Sequence, residues 1–148
     1  MLHQVATDKL LEFAERHADQ IAREWWEHIR KNKRVPSYRS LPEKEAIMPA
    51  VSFYKNLKRI YNSDDLYGAI EHYFVDYAAT RHKEGIPLQE AIYALVMMRR
   101  HLWLYAEFQA LFTSALDIYQ SIESINRTVL ITDYATYIII REYKLLGG

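Results

Sequence analysis

The feature that most restricts how this chain can fold is the turn Arg81-His82-Lys83-Glu84-Gly85-Ile86-Pro87, set between two long segments with apolar residues at helical spacing. Leu66, Ile70, Tyr73 and Tyr77 lie before it, and Leu88, Ile92, Leu95 and Leu102 after it. Steps of three and four place such residues on one face of an α-helix. Gly85 tolerates the left-handed backbone that closes a helix, and Pro87 suits a first turn, where its missing N–H would have no intrahelical partner. The spacing predicts a helical hairpin with few loop residues and antiparallel arms.

The rest of the chain has the same periodicity. A first helix is predicted from a cap at Thr7 or Asp8 to Arg30, with Leu11, Ala14, Ala18, Ile21, Trp25 and Ile29 as its apolar stripe. The basic cluster Arg30, Lys31, Lys33 and Arg34 reads as a solvated C-terminus that complements the helix dipole, and the segment around Pro36 as a loop. Ser40-Leu41-Pro42-Glu43 has the spacing of a capping box, and it opens a helix with the stripe Ile47, Val51, Tyr54, Leu57 and Tyr61. Pro49 cannot donate to its i−4 carbonyl, so a kink or a fresh start is expected there. Ser63 is the expected cap of the next helix, with Asp64 and Asp65 in its first turn.

The arm after the turn is predicted to reach Phe112, and Thr113-Ser114 to break it. In the last segment Ile118, Ile122, Ile125, Val129, Thr132, Thr136, Ile139 and Tyr143 alternate steps of four and three, the repeat of coiled-coil packing. That stripe either packs on the domain's own core or forms part of a two-fold dimer seam, because Ile131, Ile138 and Ile140 lie off it and also need cover.

Composition narrows the class. With 148 residues, half of them apolar, the chain matches one ordinary domain, 1–148, with a real core. Its 19 basic and 19 acidic residues cancel, so no global field draws it to nucleic acid or an anionic membrane. The absence of cysteine excludes disulfides, thiolate metal sites and cysteine nucleophiles. The N-terminal residues do not read as a signal peptide, and charges interrupt every apolar stretch that approaches spanning length. A soluble cytoplasmic protein is expected.

Sites are sparse. The six histidines are His3, His17, His28, His72, His82 and His101, and the only helical pairings with a carboxylate are Glu24 with His28 and His72 with Asp76. These do not make a di-iron or zinc constellation, and the chain has neither a nucleophile elbow nor a glycine-rich phosphate loop. Hairpin geometry places His72 level with His101, where two imidazoles could take a metal or hold a haem from both sides; each lies about 100° off its apolar stripe, which favours unrelated boundary histidines. Arg99, Arg100 and His101, followed by Trp103, form the other candidate. Arg99 falls on the stripe and needs a partner, either a carboxylate such as Glu71 or Asp76 or an anionic ligand.

The run Phe13-Ala14-Glu15-Arg16-His17-Ala18-Asp19-Gln20-Ile21-Ala22-Arg23-Glu24-Trp25, then Tyr38-Arg39-Ser40-Leu41-Pro42, then Arg81 to Glu90 leading into Leu95 and Arg99-Arg100, resembles the N-terminal sensor domain of RsbR-type stressosome proteins, the co-antagonists of RsbT. The resemblance covers nearly the whole chain. It implies an all-α, globin-like bundle of five to seven helices with a long C-terminal helix, without haem. It also implies dimerisation through the terminal helices and signalling along the last helix to an output domain or signalling protein. The expectation is a non-catalytic regulatory domain with no cofactor, no metal, and an unnamed small ligand or partner. A haem-binding globin-like gas sensor using His101 or His72 is the alternative.

Overall fold

The computed structural model describes residues 9–108 and 113–147. Among them are six α-helices and no strand: α1 Lys9–Arg16, α2 Ala18–Ile29, α3 Glu43–Tyr61, α4 Leu66–Lys83, α5 Leu88–Phe108 and α6 Ala115–Leu145, with a 3-10 turn at Pro36–Ser40. The all-α class and the long last helix are as predicted. The caps expected at Thr7 or Asp8 and the helix end at Phe112 lie outside the described residues.

The first predicted helix is two. The backbone leaves helical geometry at His17, whose φ is −111°, and its imidazole packs 4.4 Å from Phe13 and 6.0 Å from Tyr105. All six predicted stripe residues are buried nonetheless, and Leu10, Phe13, Ala22 and Trp26 join them. Each fully buried large side chain contributes about 1.5–3 kcal/mol. Trp25 also donates its indole N–H to the Ala94 carbonyl at 3.0 Å, tying α2 to α5.

Two caps are not where the sequence predicts them. Ser40 closes the 3-10 turn, donating to the Ser37 carbonyl, and α3 starts beyond it with no side-chain cap. Asp65, rather than Ser63, caps α4 by accepting from the Gly68 N–H at 3.0 Å. Ser63 sits two residues before it, bonded to the Asp65 backbone. The two sides of α3 also differ from the prediction. Of the predicted stripe Tyr54 and Leu57 are buried, joined by Ala46, Ala50, Phe53 and Ile60, while Ile47, Val51 and Tyr61 are half-buried, because the small alanines let α3 approach α1 and α2 closely. Helix α3 is unbroken through Pro49.

The turn closes as predicted. Gly85 has φ +78°, and the Ile86 and Gly85 N–H groups donate to the Arg81 and His82 carbonyls at 3.1 and 3.0 Å, the paired bonds of a Schellman motif. The arms, however, touch each other only slightly. α4 packs chiefly on α6, as α5 does on α6 and α2. Tyr67 meets Tyr134 edge to face at 5.1 Å, Glu71 pairs with Arg141 at 2.8 Å, and Tyr143 donates to the Ile86 carbonyl at 2.7 Å. Helix α6 thus serves as the shared wall of both arms.

Candidate functional site

Helices α3 and α4 touch over only a short length, at Ser52 with Tyr73 and Phe53 with Phe74. The gap beside that contact is a cleft of about 360 Å³, lined by Pro49, Ser52, Arg59, His72, Tyr73, Asp76, Tyr77, Thr80 and Arg81. Arg59, His72, Asp76 and Thr80 are exposed at its rim. Arg81 and Tyr77 are 1% and 6% exposed.

Arg81 continues the α4 stripe one step beyond Tyr77, which is why its stem is buried. Its head is held in part by a consequence of Pro49. The proline has no N–H for the Glu45 carbonyl, and Arg81 Nη2 donates to that oxygen at 3.3 Å. Glu84 stands 3.0 Å from the same nitrogen, and the guanidinium lies 5.7 and 5.8 Å from the Tyr38 and Tyr77 ring centres. Arg81 Nε and Nη1 and the Tyr38 and Tyr77 hydroxyls are buried and make no hydrogen bond among the described residues. Burial raises both phenols above their ordinary range, Tyr77 strongly, while the Arg81 charge opposes the rise. Burial likewise raises Glu84, against the pull of Arg81. Unsatisfied buried donors are costly, on the order of 1–3 kcal/mol each and more when charged.

The polar cluster reaches α6. The Tyr143 hydroxyl, raised by burial and then by Tyr38, sits beside the turn that carries Arg81, and its ring stands 5.2 Å from His82. By contrast, the buried carboxylate of Glu90 is fully engaged, accepting from the Ser37 N–H and hydroxyl at 2.9 Å each.

The sequence candidates fall in separate places. His72 is at the cleft rim, with Asp76 one turn on. His101 is 5% exposed on α5, its ring 4.4 Å from that of His28 and its Nε2 unbonded among the described residues. Burial, then His28 and Arg100, lowers His101 to about 4, so its imidazole is neutral near pH 7. His72 and His101 do not face each other, in line with the reading of unrelated histidines, and His101 instead contacts His28, because α5 spends this length on α2. Arg99 finds neither expected carboxylate. It donates to the Thr132 hydroxyl at 2.5 Å, and Glu71 is taken by Arg141. Arg100 is exposed and Trp103 half-buried. Among the described residues no group of three or more His, Asp or Glu could hold a metal. Arg81 was missed, although its i+4 step from Tyr77 was a readable signal of a charge entering the core.

Fold and site together define a helical bundle with a buried, partly unsatisfied arginine under an open cleft. Comparison with known proteins finds no matching family model, no similar curated protein and no similar solved structure.

Proposed function

We propose that this chain is a non-catalytic sensor or regulatory domain of bacterial signal transduction, working as a homodimer and answering a small ligand or partner protein. The observation that carries the reading is the two-sided character of α6. Its inner face, with Ile131, Ala135, Ile138, Ile139 and Tyr143, is buried against the arms of the turn. Its outer face leaves Ile118, Tyr119, Ile122, Leu130 and Tyr137 at least a third exposed along a helix of 31 residues. Such an apolar strip is costly to leave in water and suits pairing with a second copy.

A helix that touches the cleft's polar cluster on one side and a partner on the other can convert occupancy of the cleft into a change of packing at the dimer seam. The ligand need only prefer one packing state over the other. The resemblance to RsbR-type sensor domains, with their globin-like fold and an output domain or signalling protein as recipient, points the same way. Sedimentation equilibrium of the full chain tests it: the wild type is expected to be a dimer and Ile122→Arg a folded monomer. A monomeric wild type would remove the reading.

One observation favours a second reading, a haem-binding gas sensor. The neutral, buried His101 with its unbonded Nε2 is in the state that ligates iron. A Soret band after expression with haem, lost in His101→Leu, would support it, and a colourless protein would end it.

A further inference from the structure

The cleft between α3 and α4 has donors but few acceptors at its floor. Arg81 carries Nε–H and the Nη1 hydrogens, and Tyr77 a hydroxyl; both residues line the cleft, these atoms are buried, and none makes a well-formed hydrogen bond among the described residues, the guanidinium having the Tyr38 hydroxyl as its neighbour on the inner side. The one nitrogen of Arg81 that is engaged, Nη2, faces Glu45 and Glu84. Across the opening Arg59 adds a second guanidinium, steadied by its 2.9 Å bond to Asn56. Pro49 and Tyr73 supply apolar wall.

We propose that this cleft binds a small organic carboxylate, its oxygens on the free donors of Arg81 and on Tyr77, its charge facing Arg59, and its body against Pro49 and Tyr73. A carboxylate supplies the acceptors the floor lacks, and hydrogen bonds between ionised partners are the stronger kind. A dianion such as phosphate is disfavoured, because Glu84 already offsets Arg81 and Asp76 stands at the rim. A metal cation is disfavoured by the two guanidinium groups. The volume of about 360 Å³ fits a molecule of one ring or a short chain. The inference deepens the regulatory reading by giving the ligand class, and it rests on that reading only for its consequence at α6.

Calorimetric titration of the full chain with sodium benzoate, benzamide and inorganic phosphate tests it. Benzoate is expected to bind, with benzamide and phosphate at least about ten-fold weaker. Arg81→Lys should abolish benzoate binding and Arg59→Gln should weaken it several-fold. Should Arg81→Lys fail to fold, the NMR signal of the wild-type Arg81 Nε–H, expected to move on adding benzoate, stands in its place. The proposal is overturned by no binding at millimolar benzoate, by benzamide or phosphate binding as well or better, or by an unmoved Nε–H signal with Arg59→Gln unaffected. Sedimentation of the same samples separates the two readings. A dimer that ignores benzoate sinks only the ligand assignment, and a monomer that binds it sinks only the dimeric sensor.

Discussion

His101 shows how one position ties stability to pH. Its folded value of about 4 lies below the ordinary 6.5 for histidine, because burial and the neighbouring His28 and Arg100 disfavour the charged form. Between those values the unfolded chain holds the proton and the folded chain does not. Stability is therefore full above pH 6.5 and declines as pH falls toward 4, by at most about 1.4 kcal/mol per pH unit. Urea unfolding at pH 7 and pH 5 should show the loss, and His101→Gln, which cannot titrate, should shrink the difference. An unchanged difference in the variant would assign the slope to other groups. Asp117 responds in the same direction from the opposite cause: Lys9, at 2.7 Å, and the Ser114 cap favour its charged form and hold its carboxyl at about 2, so its contact with α1 persists above pH 4 and is lost as pH falls through 2.

At the scale of the element, helix ends decide more than helix middles. Asp65 satisfies an N–H that would otherwise be free at the start of α4, whereas Ser63 lies outside the helix. Asp65→Ala should cost about 1 kcal/mol by denaturant unfolding, and Ser63→Ala distinctly less. Equal losses would return the cap to Ser63. Ser114 and Asp117 form the reciprocal capping box that the sequence suggested at Ser40 and Glu43. The residue types are alike at both sites, but at the first the chain is already committed to a 3-10 turn held by Glu90, and Ser40 is turned toward Ser37. Pro49 has its effect at this scale too, since the carbonyl it leaves unpaired becomes a seat for Arg81.

For the whole molecule the central fact is that one buried cluster contains side chains from all six helices, with α6 entering it along its inner face. The two faces of α6 should then respond differently to substitution. Ile138→Ala, which opens a cavity at a fully buried site, should cost about 2–5 kcal/mol by thermal or chemical unfolding. Ile122→Arg, at a residue 57% exposed, should leave the stability of the single chain nearly unchanged while altering its association. Comparable losses from both would mean that the outer face is covered within one chain. No helix among the described residues is long and apolar enough to cross a membrane.

The amino-acid order by itself determined the helical class, the glycine-closed turn at 81–87, the start of α6 near Ser114 and the buried stripe of α1 and α2, because these follow from local backbone sterics and from spacing along one helix. The position of α6 between the arms, the rotation of the α3 face, and the pairs Glu71–Arg141 and Arg99–Thr132 were decided only in the tertiary structure. These depend on which surfaces pack most closely across long stretches of sequence, and periodicity carries no information about that choice. Arg81 lies between the two: its step from Tyr77 places it on the buried side of α4, but the freed Glu45 carbonyl and the open cleft that give it a role exist only once α3 and α4 have met.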